Sequence, residues 1–523
     1  MRGRRGTENI NQQMLVLLAA ITAAGTAPCP SYPPLPSTDD GLGADAGVKR
    51  ALQDVQRLLG EQASKLPTGL VATVVYNQTT LASFGFGRRD GPNSTAAPGA
   101  SDLVRIASIT KVFTDVLLYK MRDAGTVGLD DALKTHMPGF ATRKLGRTRS
   151  LVTLRNLGAH LSGLPREAPY PCSLDEARCD EAAVLQLLRE QLPVAAPYRR
   201  FHYSNLGIAL LGRALAHAAG GAAPFEALLA DEVLAPLGMR NATFDTAAAL
   251  AAGRVARGSS PDGGALNLSA TCTPAPGAPG SWLAPCGCLW ASTDDLAKLL
   301  KLFFRDGEPA NTEGGGAQVL DGDTLHEMLS PAVLLRGGDE AVGSPWEMNF
   351  SSGVWVKSKQ GELPGYRSAV ALVEPLKLGI FVSALVSDVA SDSVWTLDAL
   401  ALLVPAVTRA LWRLAPPAAP PPEASLLVGT FGRVVVALED AALVMRLDPS
   451  APPLNLTRVD EAGGGGSSSS SELLAFRAMP VHSTADCRWL DDGADLEIAY
   501  FRMPPGGGPA TSLRFMDGLW ERS

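Results

Sequence analysis

The chain has 523 residues, 46% of them hydrophobic and 19% charged, with a formal net charge of −7. Such a composition supports buried cores and excludes a disordered chain, and the length exceeds one ordinary domain. The acidic balance, with no zinc-finger spacing and no RNA-recognition signature, excludes the electrostatic footprint of a nucleic-acid binder.

Residues 1–27 read as a signal peptide or a signal-anchor. Arg2, Arg4 and Arg5 precede an apolar run from Met14 to Ala27, shorter than the ~20 residues of a spanning helix and suited to a signal peptide's apolar region. Cleavage implies a secreted protein; retention implies a membrane tether through this segment. Export is also expected from six N-x-S/T sequons, at Asn77, Asn93, Asn241, Asn267, Asn349 and Asn455. Seven cysteines fit an oxidising compartment. Cys172 and Cys179 flank one short loop, and Cys272, Cys286 and Cys288 gather around another. Local disulfides are expected there, with pairing open and at least one cysteine left over. Histidines at ligand spacing are missing, which argues against a metal site.

Residues 28–45 are rich in proline and glycine and form a linker. A helical pattern follows from Val48 to Leu59. The β-rich runs Gly69–Tyr76 and Thr80–Gly87, split at Asn77–Thr79, predict a hairpin. A long Ala- and Leu-rich helical middle gives way to strand-like runs at Gly353–Lys357, Arg367–Glu374 and Leu378–Leu385. Val394–Leu414 is helical in pattern, with Pro405 predicting a kink or break. Strands at both ends and helices between them predict an α+β domain over residues 46–414: one antiparallel sheet built from the two chain ends, flanked by helices, plus a helical region. A second Pro-rich linker occupies residues 415–425. Residues 426–523 read as a small all-β barrel or sandwich with strands at Leu427–Phe431, Val434–Leu438, Leu443–Leu447, Leu473–Arg477, Leu496–Arg502 and Ser512–Met516. The tract Gly463–Ser471 is expected to be a loop within it.

Three segments carry chemistry. Ser108 and Lys111 stand three apart at the start of an apolar-periodic helix, so both lie on one face. Serine is a poor nucleophile until a neighbouring base takes its proton, and a helix N-terminus favours developing negative charge. Tyr203 and Asn205 stand two apart ahead of the helix Leu206–Gly220; a phenol held as phenolate by nearby cations is a general base. Lys359, Gln360, Gly361 and Glu362 introduce the late strands. There a lysine and a closely approaching glycine backbone could serve a substrate carbonyl. Read singly, each segment has a plain structural alternative: a capping serine, a buried tyrosine, an edge-strand lysine. His160 and His202 lie near these segments and are read as structural.

In this order the segments resemble the three motifs of the serine β-lactamase and penicillin-binding-protein family. Ser108–Lys111 is similar to its S-x-x-K, Tyr203–Asn205 to its Y-x-N and Lys359–Gly361 to its K-T-G or H-x-G. The runs Thr153–Pro165, Pro236–Phe244 and Cys286–Ala297 add to the resemblance. The Y-x-N form resembles the class C β-lactamase and D-Ala-D-Ala carboxypeptidase branch. With the export signals, the chain looks like eukaryotic β-lactamase-related domain-containing proteins. The resemblance implies a β-lactamase/transpeptidase-like fold with an appended small β domain, and a hydrolase acting on a small-molecule or peptide substrate without metal or cofactor. It sets no oligomeric state. It also implies roles: Ser108 forms the acyl-enzyme, Lys111 manages its proton, and Tyr203 is the base. Asn205 would bind Lys111 or a substrate amide. Lys359 would lower the Tyr203 pKa and take a substrate carboxylate. The Ser108 and Glu362 N–H groups would form the oxyanion hole. Gln360 and Glu362 depart from the family's small residues at these positions. They motivate the alternative of a weakly active or inactive binding glycoprotein on the same fold.

Overall fold

A computed structural model describes Leu35 and residues 41–523, apart from 147–150, 174–178, 306–316, 415–419, 460–472, 481–496 and the short gaps at 92, 275–276, 279, 336, 352–353, 390 and 392. The N-terminal targeting segment, most of the first linker, residues 415–419 of the second and the Gly463–Ser471 tract lie outside the described residues. The chain divides into a unit at Tyr32–Leu414 and another that contains Ala415–Ser523.

The larger unit is built on an eight-stranded antiparallel sheet. Its strands are β1 (Gly69–Tyr76), β2 (Thr79–Gly87), β3 (Val333–Leu334), β4 (Glu340–Val342), β5 (Glu347–Ser351), β6 (Val354–Leu363), β7 (Tyr366–Val373) and β8 (Leu378–Ala384), in the order β2-β1-β8-β7-β6-β5-β4-β3. The two chain ends meet where β1 pairs with β8, Leu70 opposite Ala384 through Tyr76 opposite Leu378. Strand alternation sends Leu70, Ala72 and Val74 into one core, and Val71 and Val75 into another on the opposite face. Both faces are covered, which is why β1 is buried at every residue.

The first face is covered by α1 (Ala46–Ala63) and the C-terminal helix Thr396–Leu414. α1 starts at Asp45, whose carboxylate accepts from Gly47 N at 2.8 Å and Val48 N at 3.1 Å. Its buried stripe is Val48, Ala51, Val55, Leu59 and Ala63. The C-terminal helix runs unbroken through Pro405. Of the kink or break expected at Pro405, the break does not occur: Leu403, Val404, Ala406 and Val407 on either side are all buried, and that packing offsets the missing donor. The opposite face carries the helical region.

The C-terminal unit is an eight-stranded meander in strict chain order, from Gly429–Phe431 to Gly518–Glu521. It closes on itself through a bridge between Phe431 and Arg522 and a hydrogen bond from Ser523 N to Thr430 O at 3.0 Å. Of the two expected architectures it is therefore barrel-like, with Phe431, Phe476, Phe501 and Phe515 in its core. Two strands went unread in the sequence, Leu454–Arg458 and Gly518–Glu521. The first follows a Pro-Pro pair, the second is four residues long, and cross-strand pairing supplies what local pattern lacks.

Candidate active site

Val104–Arg105 pairs with Trp290–Ala291 in a small ladder that holds both segments around Ser108. A single 3-10 turn, Ala107–Ile109, carries the serine and leads into α2 (Thr110–Asp123). Ala107 has φ +49°, a left-handed conformation unusual for a side-chain-bearing residue. Ser108 is the one residue between Leu103 and Tyr119 that is not buried.

Lys111 is wholly buried. Its Nζ donates to Ser108 Oγ at 2.9 Å and to Cys286 O at 2.6 Å. The same backbone segment receives Thr114 Oγ1 at Pro285 O, 2.6 Å, and offers Leu289 N–H to Thr110 Oγ1, 3.2 Å. One face of α2 thus grips residues 285–289, and a Cys272–Cys288 disulfide ties that segment to the preceding loop. A second disulfide joins Cys172 and Cys179, while the buried Cys286 keeps its thiol and donates to Leu283 O at 3.3 Å. Cys29 and Cys487 lie outside the described residues.

Tyr203 arrives from the segment before α3 (Asn205–Ala218), whose cap is Ser204, accepting from Gly207 N at 2.8 Å. Three cations surround its ring: Arg166 at 4.8 Å, Lys359 at 4.9 Å and Lys111 at 5.0 Å from the centroid. Burial pushes the phenol's pKa up. The charges of Lys111 and Lys359, with hydrogen bonds to Lys111 and Ser108, outweigh it and hold the phenol below its ordinary value. His160 stacks on the ring at 4.3 Å and accepts the Ser204 N–H at Nδ1, 3.1 Å. Burial first, then Lys111, Lys359 and Arg166, push the imidazole well below its usual range. A neutral ring therefore packs against the phenol without a competing charge. Asn205 is in the cleft, but its amide donates to Glu167 Oε1 at 2.7 Å.

The third segment lies on β6. β5 pairs with β6 only as far as Glu347 opposite Ser358, so Lys359–Leu363 present an edge to the nucleophile. A Cβ on Gly361 would lie 2.8 Å from Ser108 N, so only glycine permits this approach. Glu362 follows with its side chain 55% exposed, 3.7 Å from Arg367 across the strand pair. Lys359 is buried, donating to Glu347 Oε1 at 2.7 Å and Gln360 O at 3.2 Å. Burial lowers its pKa; the negative charges of Glu347 and Tyr203 and the hydrogen bonds to them more than restore it.

All eight residues singled out in the sequence gather here, and all but the buried Lys111 line one cleft of about 510 Å³. Four further contributors were given no role at the site by sequence reading: His160 under the tyrosine, which was read as structural, Arg166 beside it, Glu347 on the lysine, and the Cys286 carbonyl. His160 and Cys286 lie in the runs Thr153–Pro165 and Cys286–Ala297, while Arg166 and Glu347 fall outside every segment singled out. Beneath the site, Asp115 is wholly buried and accepts from Ser344 Oγ at 2.6 Å. Among the described residues no group of three or more His, Cys, Asp or Glu could hold a metal ion.

The β-lactamase family profile matches residues 23–403. β-Lactamase-like protein 2 of Dictyostelium discoideum is 30% identical over 93% of this chain and 90% of its own length. The D-alanyl-D-alanine-carboxypeptidase/endopeptidase AmpH of Escherichia coli K12 is 36% identical over 34% of this chain and 45% of its own. Among solved structures, a β-lactamase/D-alanine carboxypeptidase from Yersinia pestis complexed with citrate superposes with a TM-score of 0.53 at 23% identity. It covers 71% of this chain and 99% of its own. An octameric penicillin-binding protein homologue from Pyrococcus abyssi gives the same TM-score at 18% identity, over 90% and 99%. The extent of the profile match and the length shared with the Dictyostelium protein leave one assignment: the chain belongs to the β-lactamase family of serine hydrolases and penicillin-binding-protein-like folds.

Proposed function

We propose that this chain is an active serine hydrolase that forms an acyl-enzyme at Ser108 with an ester, amide or peptide-like substrate. The observation that carries the reading is the 2.9 Å contact between Ser108 Oγ and a buried lysine, beside a tyrosine flanked by two lysines. In the reaction the Ser108 hydroxyl proton passes to the Tyr203 phenolate while Oγ bonds to the substrate carbonyl carbon. Lys111 and Lys359 stabilise the phenolate by charge. The carbonyl oxygen becomes an oxyanion between the N–H groups of Ser108 and Glu362. Collapse breaks the bond to the leaving group, which takes the proton back from Tyr203. Water then repeats the sequence in reverse and frees the acid, with Tyr203 again as base.

The expected result is a covalent adduct on Ser108 after incubation with a reactive β-lactam or an activated ester, seen by intact mass and peptide mapping. Ser108→Ala should show none and should keep its melting temperature, because the side chain is small and partly exposed. A second reading, a binding protein on the same fold, is favoured by Asn205, whose amide is turned to Glu167. No adduct on folded protein would select it. The N-terminal segment, the sequons and the two disulfides support passage through the secretory pathway, either to the medium or to a membrane-tethered site.

A further inference from the structure

A lysine ammonium has three donors and no acceptor. At Lys359 two are taken by the protein, by Glu347 Oε1 at 2.7 Å and Gln360 O at 3.2 Å, and the ammonium also lies 4.9 Å from the centroid of the Tyr203 ring. The Lys359 side chain is 2% exposed, while that of Glu347 is 31% exposed. A group entering the cleft from this side therefore meets the carboxylate, with the ammonium behind it.

The rest of the cleft does not compensate. Arg367 faces Glu362 at 3.7 Å, and Arg166 faces Glu167 at 3.4 Å. Glu340, exposed at the start of β4, adds a further negative charge to the lining. The lining cations Arg166, Lys359 and Arg367 are thus matched by Glu340, Glu347 and Glu362. A carboxylate placed here meets the Glu347 carboxylate before the buried ammonium, and like charges brought together oppose binding.

We infer that Glu347 determines substrate class at this site, converting the Lys359 subsite from a receiver of carboxylates into one for uncharged groups, so that the substrates are neutral esters or amides. This rests on the hydrolase reading above. The test compares methyl 3-acetoxybenzoate with 3-acetoxybenzoate, two acetyl esters whose leaving groups differ by a methyl group in place of one negative charge. The full-length protein should favour the methyl ester in kcat/KM by about tenfold or more. Glu347→Gln should shrink that ratio about tenfold through a lower KM for the anionic ester, as the charge facing it is removed. Glu347→Asp, which keeps the charge, should retain the preference. Equal or faster turnover of the anionic ester by the native protein, or an unchanged ratio in Glu347→Gln, would overturn the inference. Inhibition of the native protein by phenylboronic acid against 3-carboxyphenylboronic acid asks the same question without a variant; tighter binding of the carboxylated compound would also overturn it. Catalysis with a carboxylate preference removes this inference alone. Silence toward both esters and both boronic acids removes the hydrolase reading with it.

Discussion

At the scale of single residues, the site works by holding one phenol against a set of fixed charges. Tyr203 is buried, which by itself favours the neutral form, yet Lys111 and Lys359 outweigh that cost. If the phenolate is the working base, acylation rises with pH as Tyr203 ionises, and the midpoint lies below the ordinary tyrosine value of 10.0. Lys359→Ala removes one of the two cations, so the midpoint should move upward. Tyr203→Phe should lower kcat by about 10²- to 10⁴-fold, the usual contribution of a positioned base. A pH–rate profile with an activated ester reads both, and a midpoint that stays put in Lys359→Ala would remove the electrostatic role given to that residue. His160 belongs to the same account. Its neutral ring, held by the Ser204 N–H, gives the phenol a packed face and adds no positive charge.

At the scale of elements, the 3-10 turn at Ala107–Ile109 and the first turn of α2 hold the candidate nucleophile and its lysine, and the next turn of α2 stores a titratable group. Ser108 lines the cleft with Lys111 buried behind it, and Asp115, one turn beyond the lysine, is wholly buried too. Burial raises its pKa from 3.8 to about 7, while the Ser344 hydroxyl and the Lys111 charge offset part of that rise. A carboxyl whose pKa is higher in the folded chain holds its proton where the unfolded chain has released it. Its contribution therefore favours folding at low pH and is lost as pH climbs from about 4 to about 7. Asp115→Asn cannot ionise, so it should flatten this part of the profile: its melting temperature at pH 8 relative to pH 5 should exceed that of the native chain by a few degrees. Parallel profiles for the two proteins would show that Asp115 does not titrate with unfolding. Gly158 makes room for this arrangement, since a Cβ there would lie 2.7 Å from Ser344 Oγ and 2.9 Å from Asp115 Oδ2.

For the whole molecule, two units each own a core: a sheet with helices on both faces, and a closed β meander. Among the described residues no helix is long and apolar enough to cross a membrane. Asn93 and Asn267 are exposed sequons, and Asn77, Asn241, Asn349 and Asn455 are half-buried. Protein recovered from a eukaryotic secretory host should carry glycans at least at Asn93 and Asn267. Enzymatic deglycosylation converts each modified asparagine to aspartate, which peptide mass spectrometry locates; unmodified asparagine at both would remove the export reading for that host. Asn349 also lines the candidate cleft, so its occupancy bears on substrate access.

Much of this was legible in the sequence because it is local. The hairpin at residues 69–87 follows from two β-rich runs split at Asn77–Thr79, the first helix from its pattern over Val48–Leu59, and the three motif segments from short spacings along the chain. Other features depend on contacts between residues far apart in the chain. The unbroken helix through Pro405, the barrel closure at Phe431 and Arg522, and the strand at Leu454–Arg458 each draw on tertiary packing that no local pattern encodes. The candidate site divides in the same way. Sequence by itself determined which nucleophile, lysines and tyrosine to look for. Only the tertiary structure decided that His160, Arg166, Glu347 and the Cys286 carbonyl surround them, because charge acts through space, and the fold brings β5 and residues 285–289 to α2 and β6.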